Sequence, residues 1–260
     1  MQKGRIMSNI IEVRGVRIGE GIPRIIVPIV GQTKVEILSA ARALEKVRLD
    51  IVEWRADWFE DVSDFEKVRE VLAGLRAALG NTPVLFTFRT LAEGGEKTIK
   101  AEDYADLLTR AAQTGLVDLV DVEAFMEEEV VRKIICEMHA AGVRVVGSNH
   151  HFDRTPDKEE IVDRLRRMQE LGADIPKIAV MPKDTRDVLV LLDATREMAE
   201  NYADRPIITM SMGGTGLISR LCGEVFGSAC TFGAVGRASA PGQMNAADLD
   251  TILSLIHDNG

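Results

Sequence analysis

The stretch at residues 24–55, RIIVPIVGQTKVEILSAARALEKVRLDIVEWR, shows the unit from which the chain is built. It begins and ends with apolar runs, at 24–29 and 50–55, that are typical of strands buried on both faces of a sheet. Between these runs, an apolar stripe recurs at helical spacing, formed by Ile37, Ala40, Ala41, Leu44 and Val47. The stretch therefore predicts a strand, an amphipathic helix and a second strand.

The same alternation continues along the rest of the chain. Eight apolar runs predict strands, at residues 24–29, 50–55, 84–89, 117–123, 143–148, 175–181, 206–211 and 230–235. A second helical stripe contains Ile161, Leu165 and Met168, and Thr155 followed by Pro156 predicts its start. Eight strand–helix units over about 240 residues indicate an α/β fold, the (β/α)8 barrel. A doubly wound open sheet is the alternative that this pattern leaves open.

The domain organisation is predicted to be simple. No linker rich in Pro, Ser or Gly divides the chain, so residues 1–260 are expected to form a single barrel domain. Residues 1–21 precede the first barrel strand and are interpreted as an N-terminal hairpin extension. In it, residues 11–13 and 16–18 flank Arg14-Gly15, a pattern that resembles a small hairpin. We expect this hairpin to close the bottom of the barrel.

Composition excludes several classes of function. The 32 basic and 41 acidic residues give a net charge of −9, whereas general binding to nucleic acid or to an anionic membrane needs clustered positive charge. No apolar run approaches the ~20 residues of a membrane span, and the first 22 residues lack the apolar core of a signal peptide. Cys136, Cys222 and Cys230 form no CxxC pair and are expected to be reduced thiols. These features predict a cytoplasmic protein.

Polar residues gather where the predicted strands end. In barrels of this kind, chemistry takes place at the carboxyl ends of the strands. The candidates lie at the ends of six strands or in the loops that follow them: Glu53, Arg55, Arg89, Glu93, Ser148, Asn149, His150, His151, Lys177, Ser219, Arg220, Ser239 and Gln243.

Lys177 is the most informative candidate, because every other residue from 175 to 181 is apolar. Burial disfavours the charged ammonium, and a neutral amine in an apolar pocket attacks ketones and aldehydes to form a Schiff base. An ion pair with Glu53 or another barrel carboxylate explains the same residue equally well. His150 supports the catalytic alternative, because Schiff-base chemistry needs a proton shuttle. His150 and His151 point opposite ways on an extended segment, so at most one is expected to face the barrel axis.

Three arginines at the predicted rim, Arg55, Arg89 and Arg220, suggest an anionic substrate that carries a carboxylate. Ion pairing with neighbouring acids such as Asp57 is the alternative explanation. The glycine-rich stretch at residues 213–216 could bind a phosphate, as loops of barrels often do. The loop after the eighth strand supplies no second glycine-rich segment, however, so a carboxylate is the favoured anion.

From about Ile18 to the C-terminus, the chain resembles the type I 3-dehydroquinate dehydratase family. Several motifs carry this resemblance: DIVEWR at 50–55, FTFR at 86–89 with EGGE at 93–96, SNHHF at 148–152, GADIPKIAVMP at 172–182, MSM at 210–212 with ISRL at 218–221, and ASAPGQ at 238–243. The resemblance implies a lyase that converts 3-dehydroquinate to 3-dehydroshikimate through a lysine Schiff base. That reaction belongs to the shikimate pathway of aromatic amino acid biosynthesis.

The resemblance also implies a role for each matched residue. Lys177 would form the Schiff base, His150 would be the general acid and base, and Glu93 would orient His150. Substrate binding would fall to Glu53, Arg55, Arg89, Arg220, Ser239 and Gln243. The family needs no metal, nucleotide or flavin, and its members are homodimers. His151 stands where the family more often has Asp, which makes the adjacent histidine an alternative proton carrier.

Two other functions are compatible with the residues alone. A class I Schiff-base aldolase would share the barrel and the lysine of the sixth strand, but would often grip a phosphate. A non-catalytic ligand-binding barrel would keep the apolar stripes and the arginines. It would have no reason to keep both a buried lysine and a histidine at the mouth.

Overall fold

The computed structural model describes residues 10–236 and 238–260, and it confirms the predicted barrel. Among these residues, β1 (Ile11–Val13) and β2 (Val16–Ile18) form an antiparallel hairpin. The barrel strands are β3 (Arg24–Ile29), β4 (Ile51–Arg55), β5 (Val84–Thr87), β6 (Leu119–Glu123), β7 (Arg144–His151), β8 (Ile175–Val180), β9 (Ile208–Ser211) and β10 (Cys230–Ala234). A two-residue strand follows, β11 (Met244–Asn245). Residues 1–9 of the predicted extension lie outside the described residues.

Helices alternate with the barrel strands. They are α1 (Lys34–Ala43), α2 (Phe65–Leu79), α3 (Ala101–Gln113), α4 (Glu128–Ala140), α5 (Lys158–Leu171), α6 (Thr185–Asn201), α7 (Gly223–Phe226) and α8 (Ala246–Asn259). Short 3-10 turns occupy Ala56–Trp58, Leu91–Glu93 and Leu217–Arg220. The sequence explains the start of α1, where Thr33 and Glu36 form a reciprocal capping box.

Parallel pairing runs around the whole barrel. In the described residues the order is β11-β10-β3-β4-β5-β6-β7-β8-β9, and each neighbouring pair is parallel. The remaining seam, between β9 and β10, is held by a parallel bridge between Ile207 and Ser228 and by Ala229 N–H donating to Ile207 O at 2.8 Å. This seam closes the sheet, so the open-sheet alternative is wrong.

The barrel interior changes from apolar at the bottom to polar at the mouth. Residues near the strand starts, such as Ile26, Ile51 and Ile175, form a buried cluster together with Ile11, Val13 and Ile18 of the hairpin. Ile18 is fully buried, which confirms that the hairpin closes the bottom. Further along the strands, inward positions carry buried charged residues, and these charges therefore lie at the open end of the barrel.

Several predicted strand bounds differ from the structure: β4, β6 and β9 begin later than expected, and β5 ends at Thr87 and not at residue 89. Two further differences concern β7 and α5. β7 continues to His151, so His150 belongs to the strand and is held by its pairing with Ala179 of β8. The predicted start of α5 at Thr155 is wrong. The helix is capped by Asp157, whose side chain accepts from Glu160 N–H at 2.8 Å, while the Thr155 hydroxyl donates to the carbonyl of Met181. Asp157 is the better cap because its negative carboxylate also interacts favourably with the positive N-terminal end of the helix dipole.

Two of the cysteines, Cys136 and Cys222, and the outer histidines lie apart from the polar residues at the mouth. Cys136, Cys222 and Cys230 are all free thiols. On the outer helices, His139 faces Asp174 at 2.8 Å and His257 faces Glu224 at 2.7 Å. Within residues 10–236 and 238–260, no helix is both long and apolar enough to cross a membrane.

Candidate active site

The nine predicted site residues converge at the barrel mouth. Seven of them line a cavity that encloses about 320 Å³ of empty space: Glu53, Arg89, His150, Lys177, Arg220, Ser239 and Gln243. Apolar side chains complete its lining, contributed by Ala179, Met210, Met212, Phe232 and Ala240. The other two predicted residues do not line the cavity but contact residues that do. Arg55 donates to the carbonyl of Ser239, and Glu93 contacts His150.

Lys177 is buried on β8, with 1% of its side chain exposed. Its Nζ donates to Oδ2 of Asp121 on β6 at 2.9 Å and lies 5.0 Å from the ring centroid of Phe232. The ion-pair alternative is thus realised, but its partner is Asp121 and not Glu53. Because Lys177 also lines the cavity, the ion pair does not separate the amine from a bound molecule.

His150 is held from one side by Glu93. Its Nδ1 lies 2.8 Å from Oε2 of Glu93, and its backbone N–H donates to the same oxygen at 3.0 Å. The amide of Asn149 donates to Oε1 of Glu93 at 3.0 Å. The other ring nitrogen, Nε2, is buried and has no hydrogen-bond partner among the residues that the structure describes. An ionised Glu93 fixes the proton on Nδ1 and leaves the Nε2 lone pair available at the cavity.

Glu93 reaches this position through a tight turn. It is the last residue of the 3-10 turn Leu91–Glu93, which ends at Gly94 in the left-handed conformation with φ of 79°. A side chain at Gly94 would also collide with the ring of Phe152. The EGGE sequence therefore provides the backbone shape that carries Glu93 to His150.

His151 lies on the opposite face of β7, beside α5. Burial and then the positive charges of Arg164 and Arg154 lower the pKa of His151. The cavity is lined by His150. This separation follows from the alternation of side chains along a strand.

Burial controls the protonation of the His150–Glu93 pair. Desolvation, followed by the charges of Arg89 and Lys177, lowers the pKa of His150 well below its usual value. Desolvation and the nearby Glu123 raise the pKa of Glu93 to about 8. Both shifts keep the pair uncharged near pH 7. Once Glu93 is ionised, Nδ1 of His150 carries the imidazole proton and the lone pair of Nε2 is open to accept another, which suits a general base.

The raised pKa of Glu93 predicts a pH dependence of stability. The pKa is about 8 in the folded protein and about 4.5 when the residue is solvated, so between these values the folded state holds a proton that the unfolded state has released. The free energy of unfolding should therefore fall as pH rises through this window. Denaturant midpoints of the wild type and Glu93→Gln, at pH 6, 7, 8 and 9, measure the effect. The wild type should lose stability relative to the variant up to about pH 8; a constant difference would contradict the prediction.

The three rim arginines differ in their partners. Arg55 is locked by Asp57, with its Nε and Nη2 donating to the two carboxylate oxygens at 2.8 and 2.7 Å. Arg89 and Arg220 are also buried, yet neither has a salt bridge to a carboxylate within the described ranges. The Nε atoms of Arg89 and Arg220 have no hydrogen-bond partner among the described residues. Ion pairing therefore accounts for Arg55 only.

Arg220 faces the cavity as a cation without a countercharge. Its Nη2 donates to the carbonyl of Pro241 at 3.2 Å, and its Nη1 lies 3.7 Å from the sulfur of Met210. Burial lowers the pKa of Arg220 to about 10, so the side chain is still charged at neutral pH. A buried, uncompensated guanidinium is costly in a folded protein unless an anion joins it. Arg220 therefore favours an anionic ligand.

Arg220→Ala should damage substrate binding far more than folding. Deleting one partner of a buried guanidinium–carboxylate contact costs on the order of 2–5 kcal/mol, which is roughly thirtyfold or more in affinity. Steady-state kinetics should show a raised KM. Because no described carboxylate depends on Arg220, the melting temperature should change little. The exposed Arg196→Ala on α6 is the matched control. An unchanged KM with a collapsed melting temperature would show that Arg220 is structural.

The loop after β10 lies across the cavity and bears two of the predicted residues. The Gln243 amide donates to the Ser239 hydroxyl at 3.1 Å, and Ser239 N–H donates to Oε1 of Gln243 at 2.9 Å. Gly213 N–H is already bonded to the carbonyl of Pro241 in this loop, at 3.2 Å. Gly242, with φ of 76°, packs directly against the Gly213 backbone. Gly213 thus serves close backbone packing here.

Sequence reasoning missed several buried acids of the site. Asp121 pairs with Lys177 and accepts from the Ser148 hydroxyl at 2.5 Å. Glu123 accepts from both the backbone and the hydroxyl of Thr90, so it anchors the segment that leads to Glu93. A signal was available, because Asp121 and Glu123 occupy alternate positions at the carboxyl end of a predicted strand, between the apolar residues Val120 and Val122.

Two wider cavities lie elsewhere in the molecule. One, enclosing about 1080 Å³ of empty space, lies beside Pro206 and Ala229, and one of about 1170 Å³ is lined by Phe65 of α2 and Arg110 of α3. Neither has a histidine among its described lining residues, so neither offers a proton shuttle near neutral pH. The smaller cavity at the mouth is the better candidate because it combines an amine, an imidazole and unpaired cations.

Comparisons with known proteins converge on one family. The family model described as type I 3-dehydroquinase matches residues 25–260. The curated 3-dehydroquinate dehydratase of Clostridioides difficile is 55% identical over 251 residues, covering 96% of this chain and 98% of that protein. The one from Bacillus licheniformis is 53% identical, covering 97% and 100%. A crystal structure of type I 3-dehydroquinate dehydratase from Clostridium difficile, with covalently modified comenic acid, has a TM-score of 0.95 at 54% identity, covering 98% and 100%.

Proposed function

This chain belongs to the type I 3-dehydroquinase family, and on that premise we infer that it dehydrates 3-dehydroquinate to 3-dehydroshikimate through an imine on Lys177. One observation carries the assignment to residues: the buried Lys177 amine and His150, whose Nε2 no described residue contacts, line the same cavity. A nucleophilic amine beside a neutral imidazole is the minimum that Schiff-base dehydration requires.

The first half of the reaction makes the imine. Nζ of Lys177 first passes one proton to His150 and then adds, as a free amine, to the C3 ketone of the substrate. The former ketone oxygen takes one proton from Nζ and the proton held by His150, and leaves as water. The C3–Nζ bond becomes a protonated imine, which draws electrons from the adjacent C2–H bond. The burial of Lys177 supports this step, because a site that bulk water does not reach protects the imine from early hydrolysis.

The second half removes water from the ring. His150 takes the C2 proton through Nε2, and the electron pair moves into the imine. The C1 hydroxyl then leaves with a proton returned by His150, which restores the protonated imine of the product. Hydrolysis frees 3-dehydroshikimate and Lys177. The Glu93–His150 contact of 2.8 Å supports this role, since the carboxylate stabilises the imidazolium formed between the two transfers.

Substrate binding is assigned to the cations and hydrogen-bonding groups that surround the cavity. Arg220 would hold the carboxylate of the substrate, with Ser239 and Gln243 closing over it. Glu53 and Arg89 also line the cavity, and Arg55 donates to the carbonyl of Ser239 at 3.3 Å. The two arginines without acidic partners in the described chain support an anionic substrate.

The activity is tested by incubating the protein with 3-dehydroquinate and following the enone absorbance of the product. We expect turnover without any added metal or nucleotide. An aldolase would instead require an aldehyde acceptor, and a non-catalytic barrel would bind 3-dehydroquinate without producing absorbance. Either result would contradict the proposed function.

The homodimer and the cytoplasmic location are part of the same proposal. Both are expectations from family membership, and they fit a barrel without membrane-spanning helices in its described residues. Light scattering after gel filtration should give twice the mass of one chain; the mass of a single chain would contradict the homodimer.

A further inference from the structure

We propose that Asp121 is the counterion of the protonated imine, so that its carboxylate stabilises the positive charge on Nζ of Lys177 in the imines of substrate and product. This inference rests on the proposed function, because it concerns the imine that Lys177 forms. Asp121 touches the reacting nitrogen, at 2.9 Å, and neither side chain of the pair is more than 2% exposed. An opposite charge at this distance in a buried site strongly favours the charged form of its partner.

Asp121 is held so that one oxygen faces the nitrogen. The Ser148 hydroxyl donates to Oδ1 at 2.5 Å, which leaves Oδ2 for Nζ. Ser148 and Lys177 are register partners on β7 and β8, and Asp121 lies on the neighbouring β6. The three side chains therefore come from adjacent strands, and the pairing of those strands fixes their distances.

The charges balance with Asp121 as a fixed anion. The ammonium and the ketone become a protonated imine and water, so the positive charge stays on Nζ. Removal of the C2 proton by His150 gives a neutral enamine, which keeps one N–H toward Asp121. Departure of the C1 hydroxyl returns the positive charge to nitrogen. The Asp121 carboxylate favours this last step and prevents the imine from losing its proton to solvent.

Other titratable groups surround Nζ, but none takes this place. Glu53 of β4 accepts from the hydroxyl of Thr87 at 2.9 Å. Arg89, His150 and Arg220 line the same cavity as Lys177, and the thiol of Cys230 interacts electrostatically with it; none of these groups is a carboxylate. Asp121 is thus the carboxylate in contact with the reacting nitrogen.

The test is the pH profile of kcat at saturating 3-dehydroquinate for Asp121→Asn. Without the carboxylate, the imine should lose its proton at lower pH, because the buried charge is no longer compensated. The alkaline limb should move to lower pH by about 1–3 units, and kcat at pH 8 should fall at least about tenfold. Asp118→Asn, which neutralises a carboxylate directly before the same strand and outside the cavity, is the control and should leave the limb in place. An unmoved limb in Asp121→Asn, or an equal shift in Asp118→Asn, would overturn the proposal.

A spectroscopic measurement separates this role from a structural one. Enzyme labelled with 15N at the lysine side chains, mixed with the product, should give the nitrogen resonance of a protonated imine. In Asp121→Asn that resonance should convert to a neutral imine as pH is raised over a range where the wild type stays protonated. Ser148→Ala, which keeps the carboxylate but loosens it, should show a smaller shift in the same direction and serves if Asp121→Asn folds poorly. If the wild type forms no imine, the proposed function itself is wrong. If the imines of the wild type and the variants titrate at the same pH, only the counterion role of Asp121 is wrong.

Discussion

Replacing Lys177 with alanine is expected to lower kcat by more than about 10⁴-fold, since removal of a covalent nucleophile leaves only binding and electrostatic effects. The amine lines the cavity and points its charge at a single buried partner, Asp121. Substrate should still bind weakly, because Arg220 and the loop after β10 are intact. The measurement is steady-state turnover of 3-dehydroquinate together with calorimetric titration of the substrate.

The stability of the Lys177 variants must be measured alongside. Alanine leaves the Asp121 carboxylate buried and unpaired, which destabilises the fold by a few kcal/mol. Lys177→Met fills the same volume, and Lys177→Met combined with Asp121→Asn removes the orphaned charge. Lys183→Ala, in the exposed loop after β8, is the control and should retain full activity. Robust turnover by any well-folded variant at Lys177 would show that another group forms the intermediate.

His150→Ala is expected to reduce turnover by about 10²–10⁴-fold, the contribution of a positioned general acid and base. Its Nε2 is the open ring nitrogen of the pair with Glu93, as judged from the described residues. His151→Ala should cost less than about tenfold, because that side chain lies among α5 residues and transfers no proton. Single-turnover kinetics on both variants compare the two positions directly.

The His150 variant should also change which species accumulates. Imine formation needs the Lys177 amine, which remains, while removal of the C2 proton needs the lost imidazole. Borohydride should therefore trap a substrate imine in His150→Ala even though little product appears. If His151→Ala proves the slower of the two, the proton carrier is His151, and the assignment of the two faces of β7 to these residues is wrong.

The fold could be predicted from the sequence because each strand is buried on both faces. Continuous apolar runs such as residues 175–181 mark such strands directly, and eight of them at even spacing leave few alternatives. The ends of the strands were harder to predict from the sequence. Residues 149–151 are polar, so the pattern ends β7 at residue 148, whereas pairing with β8 carries it to His151. The start of α5 was missed because two adjacent capping signals compete there.

The candidate site could be predicted in part, through residues whose chemistry is unusual for their position. The sequence alone shows a lysine within an apolar strand and a histidine at the end of a strand. The partner of Lys177 is not, because Asp121 and Lys177 are 56 residues apart and meet only across three strands. The same reason hid the contact of Arg55 with the carbonyl of Ser239, 184 residues away. Contacts of this kind depend on how the strands are arranged around the closed barrel, and a local sequence pattern does not predict that arrangement.

Mass spectrometry of the enzyme after borohydride reduction, in the presence of 3-dehydroquinate or 3-dehydroshikimate, tests the covalent role of Lys177 most directly. Reduction of the imine should add one ligand per chain, and peptide mapping should place it on Lys177. The Lys177→Ala variant should show no adduct under the same conditions. An adduct on another lysine, or no adduct in an enzyme that turns over 3-dehydroquinate at its full rate, would contradict the mechanism.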